Sequence, residues 1–334
     1  MTVDMTGIPV GTSPPGAEAP AGDPRRGDPA PQQASLSPSR AADFKTCPLL
    51  YRFRCIDRLP ERPSPDQARG TLVHAVLERL FDLAPAQRTP AAAAALVAPA
   101  WQDLVEATPA LLAVFEPDGG GQDPEGFLTS ARDLLGGYFA VEDPTRLTPA
   151  QREALVSTTI DGGRLLLRGY IDRLDVSAAG DLRVVDYKTG GAPREAFEAR
   201  ALFQLKFYAL VLWRSGGVAP RMLRLLYLRD AEVCDYAPDV EELERFERTL
   251  VALWAAIRTA TEQRDFRPRP SRLCGWCAHQ ARCPAYGGTP PPFPEPAAVP
   301  VGDGPPGPGD PWPTGTVGGT PVALVDPVSS GPGD

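Results

Sequence analysis

Residues 164–190 constrain the fold of this chain more than any other stretch. They read Arg164-Leu-Leu-Leu-Arg-Gly-Tyr-Ile-Asp172-Arg-Leu-Asp-Val176, then Ser177-Ala-Ala-Gly-Asp181, then Leu182-Arg-Val-Val-Asp186-Tyr-Lys188-Thr-Gly190. The flanks are rich in Val, Ile, Leu and Tyr and the middle is turn-like, which predicts a β-hairpin. With residues 177–181 as the loop, Val176 pairs with Leu182, and counting outward sets Asp172 opposite Asp186. Directly opposed Cβ atoms lie about 4.5–5.5 Å apart, and like charges there are destabilising. A cation between the two carboxylates removes the conflict. Lys188 follows Asp186 by two residues and emerges on the same strand face. Two hard oxygen ligands beside an amine suit Mg²⁺ or Mn²⁺. Such an ion acidifies a bound water and stabilises charge on a phosphoryl oxygen. Lys188 is placed to orient the attacking water or to stabilise the developing charge. A surface hairpin with solvated charges has the same pattern, so the Asp-x-Lys spacing does not decide alone.

The rest of the 334 residues divides by composition. Residues 1–34 and 287–334 are rich in Pro and Gly without apolar periodicity, and both are expected to be disordered tails. The intervening 35–286 has the size of one domain. The net charge of −8 argues against a nucleic-acid partner only superficially. The N-terminal tail carries −2 of it and the C-terminal tail −5, which leaves the core at −1. A near-neutral core with basic patches remains compatible with DNA. No apolar run approaches the roughly 20 residues of a membrane helix, and no secretory leader pattern is visible. The expected location is cytoplasmic, where the six cysteines stay reduced and a clustered subset binds metal.

Along the core, Ser37-Pro38 predicts a helix start, and a second short helix follows Cys47-Pro48. Residues 67–83 form an amphipathic helix with Leu72, Val76, Leu80 and Leu83 on one stripe. Residues 90–138 are helical, broken at Gly119-Gly-Gly121. A strand over 153–160 leads into the hairpin, followed by a helix over 196–214, a strand over 223–228 and a helix over 240–264. The fold class is therefore α/β, with helical additions at its start.

Three further patterns carry chemistry. His74 lies on the first long helix, four residues after Gly70. Neutral imidazole is a common metal ligand, although a lone helical His is more often a satisfied core residue. Gln204 and Tyr208 share one helix face and follow the hairpin closely enough to lie beside its carboxylates. Cys274, Cys277 and Cys283 cluster near the end of the core, and Cys47 lies near its start. Four thiolates suit a [4Fe–4S] cluster or a structural Zn²⁺, with His279 as a substitute ligand in the zinc case. Either centre would clasp the two ends together. Cys55 and Cys234 have no such companions and are expected as buried thiols.

Taken in order, these motifs resemble the RecB-like branch of the PD-(D/E)XK nucleases over about residues 35–286. Gly70 and His74 match its Gly-x-x-x-His motif. Gly169, Ile171 and Asp172 match Gly-x-Ile-Asp; Asp186, Tyr187 and Lys188 match Asp-x-Lys; Gln204 and Tyr208 match Gln-x-x-x-Tyr. Cys47 with Cys274, Cys277 and Cys283 matches the iron–sulfur staple of its AddB-type members and of the CRISPR adaptation nucleases. The resemblance implies a restriction-endonuclease-like core with a mixed central sheet and a metal-dependent DNase activity on DNA ends or single strands, in repair or recombination. It implies that His74, Asp172, Asp186 and the Tyr187 carbonyl hold Mg²⁺ or Mn²⁺. Lys188 then handles the nucleophilic water, and Gln204 and Tyr208 position the scissile strand. Glu153 could add an acidic group. No Gly-x-x-x-x-Gly-Lys-Ser/Thr loop occurs in the chain, so any motor belongs to a separate helicase. Arginines gather at both ends of the core: Arg52, Arg54, Arg58 and Arg62, then Arg267, Arg269, Arg272 and Arg282. If the cysteines join the ends, these converge into a patch for DNA phosphates. The competing reading is a non-catalytic DNA-binding or clamp module on the same fold.

Overall fold

A computed structural model describes residues 35–192 and 198–294. In chain order the elements are β1 (Ser35–Leu36), α1 (Pro38–Thr46), α2 (Pro48–Tyr51, continued by a π-turn over Arg52–Ile56), α3 (Pro65–Leu80), α4 (Pro90–Ala107), α5 (Pro124–Val141), β2 (Gln151–Ile160), β3 (Leu165–Val176), β4 (Leu182–Lys188), α6 (Glu198–Gly216), β5 (Met222–Tyr227), β6 (Glu232–Tyr236) and α7 (Val240–Glu262). Much of the core's proline serves to start helices. Ser37-Pro38, Ser64-Pro65, Thr89-Pro90 and Asp123-Pro124 each set a capping side chain before a proline that needs no backbone donor. Among the described residues no helix is long and apolar enough to cross a membrane.

The sheet is mixed. β3 pairs antiparallel with β2 along its length, parallel with β1 near its start and antiparallel with β4 near its end. β4 then pairs parallel with β5, and β5 antiparallel with β6. Alternation along β4 sorts the two cores. Val184 packs with α6 and α7 on one face, and Val185 and Tyr187 pack with α3, α4 and α5 on the other. Asp186 and Lys188 therefore share the α6 face.

Two strands exceed the sequence-based expectation. β1 has only two residues, too few for a period, and β6 is a short edge strand that turns only Cys234 and Tyr236, both half-buried, toward the core. The expected tail boundary at residue 287 also shifts. Phe293 stacks on Phe266 at 6.1 Å between ring centroids, and the Pro291 carbonyl accepts a hydrogen bond from Arg52. Residues 1–34 and 295–334, the remainder of the expected tails, lie outside the described residues.

Candidate active site

The site lies where β3 and β4 part. Their ladder runs from Val176–Leu182 to Arg173–Val185, and Asp172 and Asp186 occupy the next position outward. β4 stays paired with β5 through Lys188, so its β5 side is satisfied. The N–H and C=O of Tyr187 face the open side of the fork, where a buried unpaired backbone group would be costly. Asp172 Oδ2 accepts the Tyr187 N–H at 2.7 Å, and His74 Nε2 donates to the Tyr187 carbonyl at 3.0 Å. Two expected site residues thus replace the missing strand partner.

Regular alternation fails at the same point. Leu165, Leu167 and Ile171 pack into the α6-side core, and so does Leu174, three residues on. Across β2, Arg152 pairs with Arg173 and Ala154 with Ile171, but Glu153 and Asp172 form no ladder pair. Glu153 has φ 41°, a left-handed conformation that costs an L-residue about 1–2 kcal/mol. This break turns Glu153 into the site. Its Oε1 lies 3.6 Å from His74 Nδ1, as does Asp172 Oδ2. Donor atoms of His74, Glu153 and Asp172 all fall within 4.8 Å of one another. In the sequence Glu153 is an isolated acid at a strand start, and its only local signal is its count back from Asp172 across the β2–β3 turn.

Two glycines permit this convergence. A Cβ on Gly70 would meet Thr189 Oγ1 at 3.2 Å, so α3 approaches the end of β4 closely and His74, one turn later, reaches Tyr187. A Cβ on Gly169 would meet Tyr208 Cε1 at 2.8 Å; the phenol ring lies directly over that backbone. On the α6 face Lys188 Nζ contacts Asp186 Oδ2 at 2.6 Å and donates to Gln204 Oε1 at 2.9 Å. Gln204 Nε2 donates to the Tyr208 hydroxyl at 3.2 Å. Behind the fork, buried Arg173 donates to Tyr187 Oη at 2.9 Å and forms a two-pronged pair with Glu142 at 2.6 and 2.8 Å.

The electrostatics are those of a crowded acidic centre. Burial raises the Asp172 pKa, and the Asp186 and Glu153 charges add to that against the pull of His74. Burial would lower His74, but Asp172, Glu153 and Asp186 outweigh it and lift the imidazole to about 9. Burial, with the charges of Asp186 and Asp172, also raises the Tyr208 phenol. Asp186 is 2% exposed, and its Oδ2 touches Lys188 without any hydrogen bond of acceptable geometry. An orphaned buried carboxylate oxygen beside a His, Glu and Asp set fits a hard divalent cation.

The four cysteines singled out in the sequence line one cavity of ≈ 60 Å³, from which Cys55 and Cys234 are absent. Those two are half-buried rather than buried. The Arg269 N–H donates to Cys47 Sγ and the Ser271 N–H to Cys274 Sγ, each at 3.3 Å. His279 Nε2 is engaged with Glu61 at 2.7 Å, and its ring packs on Phe53. The arginine patch divides. Arg52 is buried against Asp57 at 3.0 Å, and Arg54 binds Asp43 and Glu61 at 2.7 Å. Both are engaged in ion pairs within the fold, whereas their expected place is a phosphate-binding surface. Arg269 is exposed and donates to the Lys45 carbonyl at 2.6 Å; Arg272 is exposed.

Two carboxylates and a lysine on forked strands of a mixed sheet, with a histidine brought in by α3, form the acidic centre of this fold. Residues 35–284 match the model of the PD-(D/E)XK nuclease superfamily, and the chain belongs to that superfamily. The Gene 69 protein of Mycobacterium phage D29 is 30% identical over 205 residues, spanning 55% of this chain and 71% of its own. Among solved structures, a candidate exonuclease from Eubacterium rectale is 10% identical with a TM-score of 0.45, covering 73% of this chain and 87% of its own. The protein SSO0001 is 16% identical with a TM-score of 0.32, covering 65% and 85%.

Proposed function

We propose that the chain is a metal-dependent deoxyribonuclease, an exonuclease of the RecB-like branch acting on DNA ends or single strands in repair or recombination. The observation that carries this reading is the fork itself. Donor atoms of His74, Glu153 and Asp172 lie within 4.8 Å of one another, and the buried Asp186 carboxylate, next along the fork, touches Lys188. His74, Glu153, Asp172 and Asp186, with the Tyr187 carbonyl, would hold Mg²⁺ or Mn²⁺. Such an ion supplies Lewis acidity toward a phosphoryl oxygen and acidifies water.

The chain's own groups supply the rest. Lys188 has three donors and commits one to Gln204 while its ammonium contacts Asp186, which leaves a donor for a water or a phosphate oxygen. Because lysine only donates, Gln204 must turn Oε1 toward it and Nε2 toward Tyr208. The Tyr208 hydroxyl accepts from Gln204, and its own proton points onward as a donor for the scissile strand. A raised pKa, set by burial and the nearby Asp186 and Asp172 charges, keeps that phenol protonated at neutral pH.

At the cysteine cavity the reading is an iron–sulfur staple of the AddB-type branch, with structural Zn²⁺ as the alternative. Tetrahedral zinc with Zn–S near 2.3 Å sets its sulfurs about 3.8 Å apart. Among the described residues the group of three or more metal-ligating side chains with donors within 4.8 Å is His74, Glu153 and Asp172, so no three cysteine sulfurs approach that closely. Cys47, Cys274, Cys277 and Cys283 would hold the [4Fe–4S] cluster, and His279 is occupied elsewhere. Any translocating motor would come from a separate helicase.

Incubation of the purified chain with end-labelled linear and with circular single-stranded DNA, with Mg²⁺ or Mn²⁺, tests the reading. Shortening of the linear strand with the circle left intact is the expected result. Survival of every substrate under both metals would replace the nuclease reading with a binding module.

A further inference from the structure

We propose that the cysteine-bound segment carries a stacking platform for single-stranded nucleic acid, centred on Trp276 and flanked by Arg272 and Arg282. This deepens the nuclease reading and rests on it.

The indole of Trp276 is 82% exposed, the highest value among the large apolar side chains of the described residues. Leu273 and Tyr286 nearby are 39% and 51% exposed. The exposure is held in place. Trp276 lies between Cys274 and Cys277, which both line the cysteine cavity. Gln280 Nε2 donates to the Cys274 carbonyl at 3.2 Å, and Ser271 Oγ caps the turn by accepting from the Leu273 N–H at 3.2 Å. Two residues beyond Cys277, buried His279 is pinned to Glu61. An aromatic ring displayed on so anchored a turn offers both faces to a flat partner.

Charge narrows the class of partner. Arg52, Arg54, Arg267 and Arg269 are engaged with Asp57, with Asp43 and Glu61, with Asp265 and with the Lys45 carbonyl. Arg62 faces Glu116 at 3.7 Å. Arg272 and Arg282, which bracket the exposed indole in sequence, have no ion-pair partner among the described residues, and both are exposed. Guanidinium groups without a counter-charge attract phosphate, and an open indole stacks a base. A duplex hides its base faces in the stack, so the combination selects a single strand.

The test is binding of a thymidine oligonucleotide and of a blunt duplex to the full chain, followed by fluorescence anisotropy in EDTA so that nothing is cut. Trp276→Ala should weaken the single-strand complex about ten- to a hundredfold and leave the duplex unchanged. Trp276→Phe, which keeps a stacking face, should recover most of the affinity. Arg272→Ala with Arg282→Ala should flatten the dependence of log affinity on log salt by about 1.4. These sites are exposed, and circular dichroism should report an unchanged fold. Single-strand affinity at the wild-type level in Trp276→Ala overturns the proposal, including the case in which the indole instead meets a protein. Failure of the nuclease reading shows separately, as intact DNA with Mg²⁺ and Mn²⁺ while the anisotropy differences persist.

Discussion

Asp172 accepts the backbone N–H of Tyr187 at 2.7 Å, across the gap where β3 and β4 separate. One carboxylate thereby performs two tasks. It repairs the broken ladder with one oxygen and takes its place in the acidic cluster beside His74 and Glu153. The opening that exposes the site and the residue that closes its hydrogen-bond account are the same feature.

Close approach of Tyr208 to the Gly169 backbone leaves no room for a methyl group. Gly169→Ala should destabilise the fold by about 1–3 kcal/mol in urea unfolding. Cleavage should fall further than the unfolded fraction explains, because a displaced Tyr208 loses Gln204 and with it the restraint on Lys188.

Arg173 is 0% exposed and satisfies Glu142, Asp175 and Tyr187 together. Arg173→Met would strand the buried Glu142 carboxylate, at a cost of about 3–5 kcal/mol. Arg173→Lys should rescue little of this, since an ammonium cannot reproduce the two-pronged geometry. Chemical denaturation of both variants measures the difference.

Glu61 links the end of α2 to the cysteine segment. Burial opposes its charge, but hydrogen bonds from His279 and Arg54 prevail and hold its pKa at about 2, below the ordinary 4.5. A depressed carboxyl contributes stability that is fully present above 4.5 and is lost as pH falls through 2. The contribution is on the order of 2–3 kcal/mol. Unfolding midpoints of the wild type should drop between about pH 5 and about pH 3, and Glu61→Gln should drop less over the same interval.

Glu153 is expected to matter for metal rather than for folding. Glu153→Gln keeps shape and backbone, so stability should hardly change. Mn²⁺ affinity by calorimetry should fall about ten- to a hundredfold. Unchanged affinity would remove Glu153 from the ligand set.

How much of this was readable beforehand follows from range. The hairpin register was legible because turn residues and apolar flanks are local: Val176 does pair with Leu182, and Asp186 and Lys188 do share a face. The ladder nevertheless ends one pair before the aspartates, because the break at Glu153 belongs to β2 and has no glycine or proline to announce it. Arg52 and Arg54 looked like a basic patch because their partners Asp57, Asp43 and Glu61 are set by tertiary packing, not by helical spacing. β1 is visible only through its pairing with Leu166 and Leu167.

The most direct test separates metal binding from chemistry at Lys188. Mn²⁺ titration and DNA cleavage would be measured on the same preparations of wild type and Lys188→Ala. The account predicts that both bind Mn²⁺ with affinities within about tenfold, while cleavage by the variant falls by at least about a hundredfold. Cleavage at the wild-type rate without the amine, or a wild type that binds no Mn²⁺, would contradict it.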